Sequence, residues 1–248
     1  MNIIEKVNRS RYTLKEVLSN EWDTSIIADL SDQEIEKMYS IPSSFVSPFP
    51  GVAGGCNLKL KHRFIPSHSL HIIYYNFPEV GRLSSKVTKS ACDKLQDFYN
   101  NEDVNQEDSL FIIINDTVSE SLEKSFDGLN IRLQNEFEDG ISDKILDEMK
   151  KNNFPLSKKH FRNVHLFGID SFTNNLLKHR LVPVHTAIRS IEEIDKILKK
   201  CNCELSQLPI ILKNDIISKL IRLAHGDICH IQRDSNKCGE YPFYRICK

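Results

Sequence analysis

Apolar positions recur along this chain at two spacings, and the switches between them lay out its elements. In residues 2–20, Ile3, Ile4, Val7, Leu14, Val17 and Leu18 fall on one side of a helical repeat, which predicts an amphipathic helix. Ser31-Asp32-Gln33-Glu34 spells a capping box and predicts a second helix running to about Tyr39. Over residues 41–66 the periodicity lapses, and four prolines with Gly51, Gly54 and Gly55 predict loop or irregular edge structure. Residues 70–75 (LHIIYY) then form a β-rich run. Leu83, Val87, Ala91, Leu95 and Phe98 return to helical spacing, and residues 110–114 (LFIII) form a second run. A helix start at Ser119, a helix over about 141–149 and a third run at 164–169 (VHLFGI) complete the series. Alternating strands and helices, with strands apolar on both faces, predict an α/β domain with parallel pairing over residues 1–173.

The pattern from residue 174 onward is shorter in its units. Residues 179–184 (HRLVPV) read as an extended piece, and Ser190 starts a helix with Ile191, Ile194 and Leu198 on its apolar face. Residues 208–212 read as extended, Asp215 caps a short helix through Ile221, and Gly226 closes a turn. Residues 228–233 and 241–246 read as two strands joined by a polar loop holding Gly239. Residues 174–248 are therefore expected to form a small α+β module, near the lower size limit for folding alone.

Composition changes this picture in only a few places. The chain of 248 residues is 40% hydrophobic and 27% charged, as ordinary globular proteins are. Its formal net charge of -1 excludes a global basic field that would draw nucleic acid from a distance. Residues 102–148 hold fourteen acids against three bases, which predicts a solvated acidic face. Residues 150–162 hold five bases and no acid, either a solvated loop or a place to meet phosphates. No run approaches the ~20 apolar residues of a membrane span, and the first residues lack the basic-then-apolar order of a signal peptide. No membrane partner is expected. Seven cysteines without a framework suit a reducing compartment.

Candidate chemistry is sparse. Cys201, Cys203, Cys229 and Cys238 could offer four thiolates to zinc, but paired knuckles read Cys-x-x-Cys, and His179 and His185 stand too far apart for the usual histidine pair. Structural thiols and histidines, and no cofactor, are the expectation. Glu148-Met149-Lys150 spells the Glu-x-Lys of a metal-dependent nuclease, which wants that triplet on a strand beside a second carboxylate. It falls instead at a predicted helix end. A nuclease-like enzyme built on the first domain is the competing reading.

One series of motifs runs in order through the last third of the chain. His179-Arg180-Leu181-Val182-Pro183-Val184-His185 is followed by Gln207-Leu208-Pro209, then Asp215, then Leu223-x-x-Gly226-Asp227. Ile231-x-Arg233, Ser235, Gly239, Tyr241, Tyr244 and Arg245 close it. This series resembles the C-terminal assembly module of the fifth subunit of multisubunit DNA-directed RNA polymerases, a family shared by eukaryotic, archaeal and large-DNA-virus enzymes. Tyr12-Thr13-Leu14-Lys15-Glu16-Val17 and Asn115-Asp116-Thr117-Val118-Ser119 are similar to a helix and a turn of that family's N-terminal jaw. Four positions depart from the family's pattern, Ile211, Ile216, Val118 and Glu240, as in a divergent member, of a large DNA virus first and of a divergent eukaryote second.

The resemblance implies a non-catalytic subunit with a jaw domain over residues 1–173 and an assembly module over 174–248. It implies docking on the largest polymerase subunit, and contact with other subunits, through His179, Pro183, His185, Gln207, Pro209, Arg233, Gly239, Tyr241, Tyr244 and Arg245. It also implies that Asn115, Thr117 and Ser119 stand beside downstream duplex DNA. The place of work implied is the virion and host cytoplasm for a viral member, or the nucleus for a cellular one. The residues themselves add that the closing hairpin offers an edge another chain could extend, and that the 115–119 turn aims unpaired N–H groups at a helix start.

Overall fold

The computed structural model describes residues 1–43, 49–101, 103–137, 140–235, 237 and 239–248. Pro48, Glu102, Glu138, Asp139 and Cys238, which enter the readings above, lie outside the described residues. The chain divides into two compact units: Met1–Asn152 with Phe161–Asn174, and Asn153–His160 with Asn175–Lys248.

The first unit is built on a four-stranded sheet in the order β1-β2-β3-β4. Strands β2 (Ser69–Tyr75), β3 (Ser109–Ile114) and β4 (Val164–Gly168) pair in parallel, and β1 (Leu58–Lys61) runs antiparallel along one edge. All residues of β2 and β3 are buried, because helices cover both faces. On one face, α3 (Ser90–Phe98) and α4 (Glu120–Glu136) place Leu95, Phe98, Leu122, Phe126 and Leu129 against Ile73, Leu110, Ile112 and Leu166. Toward the other face, α1 (Ile3–Leu18) buries Ile4, Val7, Leu14 and Leu18, and its Ser10 hydroxyl bonds the Tyr74 hydroxyl at 2.7 Å. The Asn130 amide grips strand β4 at its start, donating to the Val164 carbonyl at 2.8 Å and accepting from the Val164 N–H at 2.7 Å.

Helix α2 (Asp32–Tyr39) starts with the reciprocal capping box that Ser31 and Glu34 spell. Two expectations in this unit need correction. The 41–66 segment contains β1, an edge strand too short to register as a period. The helix expected from Leu83 begins only at Ser90; Leu83 is 97% exposed, its place in the helical spacing being coincidental.

The second unit has its own four-stranded sheet, in the order β5-β7-β8-β6. It comprises β5 (Val184–Ile188), α6 (Ile191–Cys201), β6 (Ile210–Ile211), α7 (Ile216–Leu220), β7 (Ile228–Ser235) and β8 (Gly239–Cys247). Gly226 (φ +86°) and Gly239 (φ +72°) take the left-handed backbone that the turns before β7 and β8 require. Alternation along β7 splits the apolar side chains between two layers. Ile228, with Ile246 and Leu208, packs against Ile194, Ile197 and Leu198 of α6, while Ile191 is exposed. Cys229 and Ile231, with Ile211 and Cys247, pack against Ile221 and Leu223 just past α7. Here too the structure corrects the reading: residues 179–183 form a turn, and the strand begins at Val184, where the expected one ended.

Candidate interface sites

In the second unit the face on the α7 side carries the side chains that the motifs single out. Ladder register sets them in rows: His185 opposite Ile231 opposite Phe243, then Arg233 opposite Tyr241, then Cys229 opposite Arg245. Because side chains alternate across a sheet, His185, Arg233, Tyr241, Phe243 and Arg245 therefore emerge on one face. Both guanidinium groups stack on the Phe243 ring, Arg233 at 4.7 Å and Arg245 at 5.4 Å from its centroid. Phe243 was missed in the sequence; its signal was the period-2 position it shares with Tyr241 and Arg245. Tyr241 is 51% exposed, and Arg233 is exposed. Stacking leaves the edge of the exposed Arg233 open as a planar donor for carboxylates or backbone carbonyls, whereas Arg245 already donates to the Ile210 carbonyl at 3.3 Å.

His185 donates from Nδ1 to the Pro183 carbonyl at 2.6 Å. Burial pushes its pKa below the ordinary histidine value, and the Arg233 and Arg245 charges add to this against the opposing pull of Pro183 and Asp215. The other named residues stand apart. Tyr244 lies on the α6 face, stacked on His230 with centroids 5.1 Å apart. The Gln207 side chain accepts the Glu204 N–H at 2.8 Å, and the Pro209 carbonyl accepts the Ile246 N–H at 2.8 Å at the start of β6. His179 is exposed, its Nδ1 accepting the Leu181 N–H at 3.3 Å.

The hairpin edge is narrower than the sequence suggests. Strand β7 is interior, flanked by β5 and β8. On its other side β8 meets β6 only at Ile246 and Cys247, so among the described residues Gly239–Arg245 is the stretch left for a further strand.

In the first unit, the Asn115–Ser119 turn follows β3 at its carboxyl end, where ligands of open α/β sheets bind. Thr117 and Ser119 are exposed, while the Asn115 amide donates to the Ser84 hydroxyl at 2.7 Å. The expected row of free N–H donors needs correction. Asp116 accepts the Thr117 N–H at 2.7 Å, and Ser119 caps α4 by accepting from Leu122 at 3.4 Å. The chain's own oxygens fill part of the seat.

The two charged windows also change. In the acidic stretch, Asp108 is fully buried and holds the Ser69 N–H at 2.8 Å and His71 at 3.0 Å; Glu107 accepts the Ser142 N–H. In the basic stretch, Arg162 is buried over the Tyr99 ring and bonds Gln106 and Glu136. Lys159 and His160 fold into the second unit, where the fully buried Asp227 receives both, Lys159 at 2.6 Å and His160 at 3.0 Å. Two of the five bases, Lys159 and Arg162, are thus held by internal partners. The Glu-x-Lys triplet lies in α5 (Asp143–Asn152), with Met149 buried and Glu148 accepting the Ser67 N–H and hydroxyl at 3.0 and 2.7 Å. Among the described residues no group of three or more histidines, cysteines or acids converges as metal ligands.

Comparison with known proteins bears on the second unit. The family model for RNA polymerase Rpb5, C-terminal domain, matches residues 174–247. DNA-directed RNA polymerase subunit Rpo5 of Methanosphaera stadtmanae is 42% identical over 74 residues, which span 95% of that protein and 30% of this chain. The chain belongs to the Rpb5/Rpo5 family. Rpo5 of Sulfurisphaera tokodaii is 46% identical over 68 residues, covering 80% of that relative and 27% of this chain. The rpabc1 subunit of DNA-directed RNA polymerases I, II, and III of Dictyostelium discoideum is 34% identical over 73 residues, 36% of its length and 29% of this chain. An archaeal Rpo5 is thus scarcely longer than the matched region, whereas rpabc1 carries much more chain, as this Rpb5-family protein does.

Proposed function

We propose that this chain is a non-catalytic subunit of a multisubunit DNA-directed RNA polymerase, acting in the nucleus or cytoplasm where its polymerase acts. The observation that carries this reading is the match to nearly the whole length of an archaeal polymerase subunit. In this reading the second unit docks on the largest subunit through the Arg233–Phe243–Arg245 stack, Tyr241 and the free part of the β8 edge. A planar, cationic and aromatic surface suits an interface whose partner supplies carboxylates and backbone carbonyls. The first unit then serves as a jaw, with the turn from Asn115 to Ser119 beside downstream duplex DNA.

The test is a capture from the native source with a tagged fragment spanning residues 153–248, which keeps the Lys159 and His160 partners of Asp227. The fragment should retain the largest polymerase subunit, and a fragment spanning residues 1–172 should not. Retention by the N-terminal fragment alone would reverse the assignment of the two units.

A further inference from the structure

The dithiol at the end of α6 lies outside everything the family reading uses. Four of the described cysteines, Cys56, Cys92, Cys229 and Cys247, are buried. Burial pushes the thiol pKa of Cys56 and Cys247 up to about 11 and that of Cys229 to about 12, which keeps these groups protonated and inert. Cys201 and Cys203 differ. Cys201 is exposed on the last turn of the helix, and Cys203 is partly exposed. Between them Asn202 takes the left-handed conformation (φ 49°, ψ 49°) and turns the chain back, so that the Cys203 N–H reaches the Leu198 carbonyl at 3.2 Å. This reversal turns Cys203 back beside Cys201 at the end of the helix. Cys203 is anchored by packing against the layer of Leu208, Ile228 and Ile246.

The geometry points to Cys201 and Cys203 as a redox-active dithiol that closes to an intrachain disulfide by exchange with a small disulfide of the glutathione type. The exposed Cys201 thiolate attacks one sulfur of glutathione disulfide. A mixed disulfide forms and one glutathione thiolate leaves, taking up a proton. Cys203 then loses its proton and attacks the Cys201 sulfur, forming the Cys201–Cys203 bond and expelling the second glutathione. Two protein thiols are oxidised and one glutathione disulfide is reduced to two thiols. Exposure assigns the roles: Cys201, the open thiol, enters, and Cys203, held against the apolar layer, resolves. A ring spanning a single intervening residue is strained, so excess reduced glutathione should reopen it readily.

Trypsin cuts after Lys200 and Lys213, giving a peptide of residues 201–213 in which these are the only cysteines. The folded full-length chain is treated with glutathione disulfide, quenched with acid, alkylated and digested. In the wild type this peptide should become two hydrogen atoms lighter, free of glutathione and alkylating agent, and return to the dithiol form with reduced glutathione. Cys203→Ser should stop at one glutathione on Cys201. A wild-type peptide that keeps its glutathione as stably as Cys203→Ser does, links two chains, or stays reduced while Cys203→Ser is modified would overturn the proposal. So would a Cys201 that fails to react in either protein.

Discussion

Asp227 shows how much one side chain can hold. It is fully buried, and it accepts from the Ala224 N–H at 2.8 Å as well as from Lys159 and His160. The Ser157 N–H donates to His160 Nδ1 at 3.0 Å, which leaves the proton on Nε2 facing the carboxylate. Burial lowers the His160 pKa more than Asp227 raises it, with Arg189 and Lys159 adding to the lowering, so the imidazole is neutral at pH 7. Burial also pushes the Asp227 pKa upward, but His160, Lys159 and the Ala224 N–H outweigh it, and the net shift is downward. Both groups then bind protons more weakly folded than unfolded. Stability should be full above the ordinary histidine value of 6.5, decline as pH falls below it, and decline again below the ordinary carboxylate value of 3.8. Melting curves at stepped pH should show this, and His160→Gln should flatten the first decline. Asp227→Asn should cost about 3 kcal/mol, read by denaturant unfolding, because it strands buried donors. Little of this was legible in the sequence. Asp227 was visible as part of a turn, but nothing marked Lys159 and His160, far away in the chain, as its partners.

Elements divide into those that place chemistry and those that support it. Strand β8 places Tyr241, Phe243 and Arg245 on one face simply by being a strand, and β7 adds Arg233 through register. Arg233→Glu should sharply weaken capture of the polymerase, while the melting temperature should shift by no more than a few degrees, since Arg233 is exposed. Unchanged capture would move the docking surface off this face. Of the departures from the family pattern, Ile211 is 6% exposed and joins the α7-side layer, and Val118 packs on the core of the first unit. Apolar burial accounts for both. The turn ahead of α4 calls for a different test. Thr117→Glu with Ser119→Asp, which keeps a capping oxygen, should leave assembly intact and shorten the lifetime of elongation complexes, most at raised salt. Equal lifetimes across the salt range would remove this turn from the DNA.

At the scale of the whole molecule, charge sets the expectation for DNA. With 33 lysines and arginines balanced by 34 acids, and with Lys159 and Arg162 held by internal partners, the isolated chain has no net positive field to hold phosphates. Electrophoretic mobility shifts should show weak binding to duplex DNA, without sequence preference and lost as salt rises. Tight, salt-resistant binding would make the chain a DNA-binding factor in its own right. By itself the sequence determined the parallel sheet of the first unit, because strands apolar on both faces leave a chain few other arrangements. It determined the Ser31 capping box and the turns at Gly226 and Gly239, whose causes lie within four residues. It also determined the family, through motifs kept in order. Tertiary structure alone decided what depends on distant partners: the edge strand β1, the late start of α3, the assignment of Asn153–His160 to the second unit, and the burial of Asp108, Arg162 and Asp227. A charge reads as a solvated surface in one dimension. Only the packed chain brings it the donors and acceptors that make its burial affordable.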